Sequence, residues 1–283
     1  MAIPGKNSAT TVTDVAGPPP VPSQSTSRRL IWRQANVEAV IEETARARSL
    51  VLRVPGWAGH LAGQHLDVRL TAEDGYQAQR SYSIASAPAP TGGQGDQIAL
   101  TVARIDDGEV SPFLTQELRV GDSLEVRGPI GGYFVWTGTA ARPLQLVAGG
   151  SGIVPLMAML RHRARALPGT PARLLYSSRT WDAIIYREEL TRLAGADPRL
   201  TVAHTLTRAA PPGWDGQSRH VDGAMLRALA IPPAEEPEVY VCGPTSFVES
   251  VADALVGWGH PVARIKTERF GPTGSPAAPS TGR

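Results

Sequence analysis

The sequence predicts a two-part β + α/β protein, an antiparallel β-barrel followed by a parallel, helix-covered α/β sheet. Three observations predict it. From Leu30 to about Ile130, short alternating apolar and polar runs are separated by Gly, Pro and Asp-Gly turn signals, as half-buried antiparallel strands require. After "TGTAARP" at 137–143, continuous apolar runs alternate with segments of helical spacing, which implies a parallel sheet covered on both faces. This change of texture puts the boundary between Gly138 and Pro143.

The first part reads as strands at "RSLVLRVPG", "GQHLDVRLTAEDG", "RSYSIASAP", "QIALTVARIDDG" and "DSLEVRGPIG". Short, regularly spaced strands of this kind suit a small barrel. The one helical interruption is "SPFLTQEL", starting at Ser111 with Pro112 in its first turn, where a missing N–H costs nothing. In the second part, "PLQLVAGG", "PARLLYSS", "LTVAHTLT" and "EVYVCG" read as strands. Between and after them, "SGIVPLMAMLRHRARAL", "DAIIYREELTRLA", "MLRALA" and "TSFVESVADALVGWG" read as helices. "RHRAR" at 161–165 reads as a solvated helix face, because neither it nor the six histidines show metal-ligand spacing. Residues 1–27, rich in Pro, Ser and Thr, read as a disordered tail, and 275–283 as a flexible one. The folded parts then run over 28–138 and 139–274, with no internal repeat.

Composition narrows the function classes. The 283 residues carry 28 Lys and Arg against 26 Asp and Glu, interspersed for a net charge of +2, so no nucleic-acid partner is implied. Cys242 is the only cysteine, which excludes an internal disulfide and a four-thiolate iron–sulfur cluster. With no signal peptide recognised, this points to a reducing cytoplasm. No apolar run is long enough to span a bilayer. The Arg28-Arg29 pair is a weak export signal, since "LIWRQANVEAVIEE" behind it soon becomes charged.

Two stretches carry the chemistry. In "LQLVAGGSGIVPLMAML" an apolar strand runs into Gly149-Gly150-Ser151-Gly152 and then a helix. Glycines let the backbone approach an anion closely, and a helix N-terminus presents free N–H groups to a phosphate. Alone, the stretch also fits a tight turn that binds nothing, and it is neither GxGxxG nor a P-loop. In "VYVCGPTSFVESVADAL", Cys242 ends a buried strand and Gly243-Pro244-Thr245 opens a helix at the same sheet edge. A lone cysteine is usually a small buried hydrophobe. Two glycine-bearing strand ends facing one crevice suit an extended, phosphate-containing ligand.

Arg80-Ser81-Tyr82-Ser83 fits the pattern R-x-Y-[ST], and "GEVSPFL" fits G-x-x-S with Gly108 and Ser111. With "GPIGGYF", "GGSGIVP" and "YVCGP" in the same order, the chain from about Arg28 to Thr273 resembles the ferredoxin–NADP reductase family of flavoproteins. The resemblance implies an N-terminal Greek-key FAD barrel and a Rossmann-like NAD(P) domain. It also implies FAD and NADPH as cofactors, with NADH as the alternative.

The residue roles come with the resemblance. Arg80 and Ser81 would lie along the FAD site, with Arg80 on the pyrophosphate, which a guanidinium fork suits. Tyr82 would lie against the isoalloxazine, and Ser83 near flavin N5. Gly108, Val110 and Ser111 would cradle the pyrophosphate. Taken alone, a solvated strand charge and ordinary barrel packing account equally well for these side chains.

On the nucleotide side, Gly150, Ser151 and Gly152 would hold the second pyrophosphate. Cys242, with Gly243 and Pro244, would shape the meeting point of nicotinamide and flavin without nucleophilic attack. Arg179, Thr207 and Arg208 occupy positions where NADP-preferring members bind the 2′-phosphate, although relatives usually carry Ser-Arg where this chain has Thr-Arg. Glu268 and Phe270 stand where relatives bring an acid and an aromatic to the flavin. Here the chain continues beyond Phe270, and core packing is the other reading of that ring.

The implied activity is an FAD-dependent NAD(P)H oxidoreductase in which Ser83, Cys242 and Glu268 surround the hydride-transfer point. Electrons would leave to a separate protein: a ferredoxin, a flavodoxin, an oxygenase component or a sulfite-oxidase-like molybdenum protein. Two rival readings are an electron-relay subunit active only inside a complex, and a non-redox nucleotide-binding module that would purify colourless.

Overall fold

The computed structural model describes residues 30–90 and 95–271. The expected tails at 1–27 and 275–283, the Arg28-Arg29 pair and Thr273 lie outside the described residues. Both sheets fall within one compact unit that begins at Ile31.

The first sheet has six antiparallel strands: β1 (Trp32–Thr44), β2 (Ala47–Arg53), β3 (His65–Thr71), β4 (Gln77–Ser83), β5 (Gln97–Ala103) and β6 (Ser123–Ile130). Their spatial order is β4-β3-β6-β1-β2-β5, a Greek-key arrangement. A bridge between Ile84, just past β4, and Leu100 on β5 joins the two edges and closes the barrel. Alternate residues fill the interior, among them Leu50, Leu52, Leu66, Val68, Ile98, Leu100 and Val126. That period-two burial is the cause of the alternating sequence texture.

The segment at Ser111 is helical but shorter and wider than expected. Over Phe113–Glu117 it is a π-helical turn, in which the Leu118 N–H donates to the Phe113 carbonyl at 3.0 Å. Leu114 and Thr115 are drawn into the barrel core on this single wide turn.

The second sheet is parallel throughout: β7 (Leu144–Gly149), β8 (Ala172–Thr180), β9 (Leu200–Ala209), β10 (Glu238–Pro244) and β11 (Ile265–Phe270), in the order β11-β10-β7-β8-β9. All six residues of β7 are buried, because the strand is central and covered on both faces. On one face, Leu146 and Ala148 pack with helices α1 (Ile153–Ala166) and α2 (Arg187–Ala196). On the other, Val147 packs with α3 (Gly223–Leu229) and α4 (Thr245–Trp258). No described helix is long and apolar enough to cross a membrane.

The first half of α1, Ile153–Leu160, is buried all round. It lies between the parallel sheet and the barrel, so no residue of that half faces water. One apolar cluster runs through this seam, joining Ala47, Ala62, Ala85, Phe134 and Trp136 to α1 and to Ile184, Ile185 and Tyr186.

Two expectations are corrected at the seam. The helix expected from Asp182 begins only at Arg187, because Ile184, Ile185 and Tyr186 leave helical geometry to plug the seam. Tyr186 takes a left-handed backbone with φ 61°, an unusual conformation for a bulky residue. "RHRAR" is not a solvated face. Arg161 donates to the Ala85 carbonyl at 2.8 Å, to both Glu189 oxygens at 2.9 and 2.6 Å, and stacks 4.8 Å over the Tyr186 ring. Arg163 is buried against Asp197 at 2.7 Å and the Thr170 carbonyl at 2.6 Å.

A polar chain completes the seam. The Tyr186 hydroxyl donates to Thr101, whose hydroxyl meets Ser49 at 2.7 Å, and Ser49 donates to Glu43 at 2.5 Å. Glu43 also accepts from the Tyr186 N–H at 3.3 Å. Y186F removes one buried neutral hydrogen bond while keeping the ring, which costs about 1 kcal/mol. A thermal melt of the variant is expected to fall by roughly 2–4 °C, as a chain of this size requires.

Candidate functional site

The site forms where the carboxyl ends of the parallel strands face the end of β4. In β4, Leu66 of β3 stands opposite Tyr82, and His65 opposite Ser83. Tyr82 packs half-buried on the barrel core, and burial pushes its phenol up to about 12. The Ser83 hydroxyl reaches across the seam and donates to Glu268 Oε1 at 3.4 Å. Glu268 is held there by register, since it lies beside Cys242 in the β10–β11 pairing, with Pro244 beside Phe270.

The glycine turn sets the other wall. Gly150 has φ +56°, a left-handed backbone that glycine adopts without strain. A Cβ on Gly152 would collide with the Cys242 carbonyl, so only glycine lets the start of α1 nest against the end of β10. A Cβ on Gly243 would come within 2.7 Å of the Phe247 ring and 3.2 Å of the Gly149 Cα. The ends of β7 and β10 therefore touch side by side, with Phe247 covering them. Gly150 itself is exposed, which leaves its backbone facing the cleft. This bare, glycine-made ledge at a strand end fits a phosphate-bearing ligand.

Electrostatics divide the site into a weakly charged centre and a cationic periphery. Burial pushes the Cys242 thiol well above its ordinary value, and the nearby Glu268 carboxylate adds to that shift. The sulfur is a thiol at neutral pH and a poor nucleophile. Burial also raises the Glu268 carboxyl from 4.5 to about 7, against the lowering effect of the Ser83 hydrogen bond. Arg179 and Arg208 are exposed at the outer ends of β8 and β9, where a register shift lies between Ser178 and Thr180. Thr207, between them, donates to the Ser178 carbonyl at 3.4 Å. Arg179 lies one strand over from the β7 that carries the glycine turn and Arg208 two over, roughly 5 and 10 Å across the sheet.

The structure therefore gathers Ser83, Cys242, Glu268, Gly149–Gly152, Gly243, Pro244 and Phe270 at one crevice. Phe270 is 38% exposed, so core packing does not account for its ring. Arg80 lies further back along β4, where its guanidinium meets Glu109 at 2.5 Å. Ser81 turns its hydroxyl to Asp67 at 2.7 Å, and Arg127 holds the same carboxylate at 2.7 Å. Val110 is buried in the barrel core. The Ser111 hydroxyl closes its own loop by accepting from the Ile105 N–H at 3.0 Å. Gly108 packs against that hydroxyl, where a Cβ would stand 3.1 Å away. In the G-x-x-S stretch, then, Val110 and Ser111 turn inward, and Glu109 is the side chain that faces outward.

Sequence reasoning missed Phe247, Glu109 and Tyr76. Phe247 follows the "CGPTS" turn, and only its fit over two glycines reveals its place. Tyr76 and Glu109 come from separate turns and meet through a 2.6 Å hydrogen bond.

Comparison with known proteins agrees with this geometry. Residues 34–135 match the model of an oxidoreductase FAD-binding domain, and residues 146–253 that of an oxidoreductase NAD-binding domain. The NADH-cytochrome b5 reductase 1 of Aspergillus terreus is 31% identical over 219 residues, covering 74% of this chain and 72% of that protein. The chain belongs to the ferredoxin reductase-like family of FAD- and NAD-binding oxidoreductases.

Within this reductase family it is also 34% identical, over 240 residues, to the ferredoxin reductase component of the 3-ketosteroid-9-alpha-monooxygenase of Rhodococcus rhodochrous. That match covers 83% of this chain and 64% of the length of that component. Among solved structures, the flavohaem-like FAD/NAD-binding domain of the nitric oxide dioxygenase from Vibrio cholerae superposes with a TM-score of 0.75 at 25% identity. It covers 85% of this chain and 99% of the other. An FAD-binding barrel and an NAD-binding parallel sheet are thus the two halves of this reductase-like chain.

Burial disfavours the Glu268 carboxylate more in the folded chain than in the unfolded one. The folded state accordingly holds an extra proton between pH 4.5 and about 7, and stability falls as pH rises through that window. Melting temperatures across the window are expected to decline for the natural chain, with the decline flattened in E268Q.

Proposed function

We propose that this chain is an FAD-dependent NAD(P)H oxidoreductase that hands electrons to a separate redox protein. The observation that carries the reading is the contact of Ser83 with Glu268. It brings the R-x-Y-S strand of the FAD-binding barrel to the Cys-Gly-Pro strand end of the NAD-binding sheet. In this reading residues 28–138 form the flavin part and 139–274 the nucleotide part.

Bound FAD supplies a two-electron acceptor that can release electrons one at a time. The rest is positioning by this chain. Tyr82, fixed on the barrel core, offers a flat neutral face for a flavin ring. Arg80 provides a forked cation for the flavin diphosphate, and the backbone of Gly108–Ser111 lines the approach to it. Gly150, Ser151 and Gly152 bring free N–H groups at the start of α1 to the nicotinamide dinucleotide's phosphates. Pro244 and Gly243 continue that wall, and Cys242 fills the floor as an uncharged thiol. Phe270 closes the exposed side. With a carboxyl at about 7, Glu268 can take up and release a proton near neutral pH, while Oε1 accepts from the Ser83 hydroxyl.

Arg179 and Arg208, with Thr207 between them, support NADPH as the donor. Two exposed cations suit a dianionic 2′-phosphate, whereas an acidic residue suits a free ribose hydroxyl. The relatives' names, a monooxygenase ferredoxin reductase component and a cytochrome b5 reductase, support an acceptor of ferredoxin, oxygenase or cytochrome type. A sulfite-oxidase-like molybdenum protein is a further acceptor of the same one-electron kind. The single cysteine suits work in a reducing cytoplasm.

The purified full chain is expected to be yellow and to bleach on anaerobic addition of NADPH, faster than with NADH. A chain that stays colourless with added FAD sinks the proposal, and equal bleaching rates remove the preference for NADPH. R208A is expected to raise the KM for NADPH by roughly tenfold, the cost of losing one charged hydrogen bond, while the KM for NADH stays unchanged.

A further inference from the structure

The β3–β4 hairpin and the loop before the π turn meet in a constellation of which the proposed chemistry uses Arg80 and leaves Glu109 and Tyr76 unexplained. Glu109 Oε2 accepts from Arg80 Nη2 at 2.5 Å, and Glu109 Oε1 accepts from the Tyr76 hydroxyl at 2.6 Å. Arg80 Nη1 is tied to its neighbour's carbonyl, Gln79 O, at 2.7 Å. The Tyr76 hydrogen bond, with the hydrogen bond and charge of Arg80, holds the Glu109 carboxyl below its ordinary value, so the group is an anion at neutral pH. The loop that presents it is fixed by the Ser111–Ile105 closure and by packing of Gly108 on Ile105. Glu109 is therefore delivered to the guanidinium by a built loop rather than by a freely moving chain.

This arrangement rests on the flavin reading above, in which Arg80 serves a diphosphate. A guanidinium offers five N–H donors in a fixed plane, and here the two Nη groups that would grip a diphosphate end-on are engaged internally, Nη2 by the Glu109 carboxylate and Nη1 by the Gln79 carbonyl. A diphosphate arriving at the same N–H groups meets a like charge a few ångströms away, which is unfavourable even in water. The Arg80 and Glu109 side chains are 53% and 45% exposed, so their ion pair is weak and exchanges readily.

We propose that Glu109 is an internal competitor for Arg80 that sets the affinity for FAD through its diphosphate. The flavin's diphosphate displaces the carboxylate from the guanidinium, and the Tyr76 hydroxyl is released with it. The contact weakens FAD binding without touching recognition of the isoalloxazine ring. It therefore discriminates by phosphate and not by flavin.

The test is titration of the full chain with FAD and, separately, with riboflavin, which has no phosphate, followed by flavin fluorescence. E109Q is expected to bind FAD roughly 3- to 10-fold more tightly, as removal of one like charge near a diphosphate requires, with riboflavin affinity unchanged. E109A, which removes the carboxylate and adds no donor, carries the same expectation should E109Q fold poorly. Unchanged or weaker FAD binding in both variants would make Glu109 a brace for Arg80 and overturn the inference. Equal tightening of riboflavin would overturn it too, by showing a general effect on the barrel. Failure of the natural chain to bind FAD at all is a different result, and it removes the flavin reading itself.

Discussion

The site depends on a seam that two sheets share. A hydroxyl on the last residue of β4 and a carboxylate on the edge strand β11 come from chain segments 185 residues apart. They stay in register only if the barrel and the parallel sheet cannot slide. An unbroken apolar cluster prevents sliding, with Trp136 and Ala85 from the barrel side locked against the wholly buried first half of α1. The polar chain from Glu43 to Tyr186 adds direction to that packing, since each hydrogen bond accepts only a narrow geometry. Reactions between bound rings lose rate steeply with small misplacement, so a cross-braced seam suits this proposed chemistry.

Charge is distributed to match. At the centre, burial keeps Cys242 protonated and holds Glu268 close to neutrality. Further out stand Arg80 on the barrel and Arg179 and Arg208 on the sheet. Dinucleotides carry their negative charge on phosphates remote from the reacting rings, and this gradient follows that pattern. The glycines let the strand ends close on one another, at Gly152 and Gly243, and leave bare backbone exposed at Gly150.

Much of this was legible in the sequence, for physical reasons. The unbroken apolar run of β7 and the glycines behind it could form little else than a buried strand with a tight turn. The alternating runs before Ile130 matched a closed antiparallel sheet. What stayed hidden was tertiary. Arg161 and Arg163 look like solvated charges in a string of cations, and only the half-buried Asp197 and the Ala85 carbonyl explain them. Tyr186 sits in a stretch of good helical spacing, yet the seam draws it into a left-handed turn. Ser111 matched a pattern, but its hydroxyl is spent on its own loop. Ser81 likewise serves Asp67. Local pattern identifies the turn, while the partner of each polar atom is set by segments far away in the chain.

The strand order carries a consequence for how such a chain comes into being. All six barrel strands lie within residues 32–130, so the barrel has every partner it needs before the parallel sheet exists. Nascent chains generally organise from the N-terminus first. A barrel that closes early holds Ala47, Ala62 and Ala85 on its flank with nothing to cover them until α1 and the Ile184–Tyr186 plug emerge. The wall beside Cys242 is finished later still, because β11 is made after every other described strand. Synthesis in this order leaves the barrel's alanine flank uncovered until the seam elements follow it, and the wall beside Cys242 open until β11 is in place.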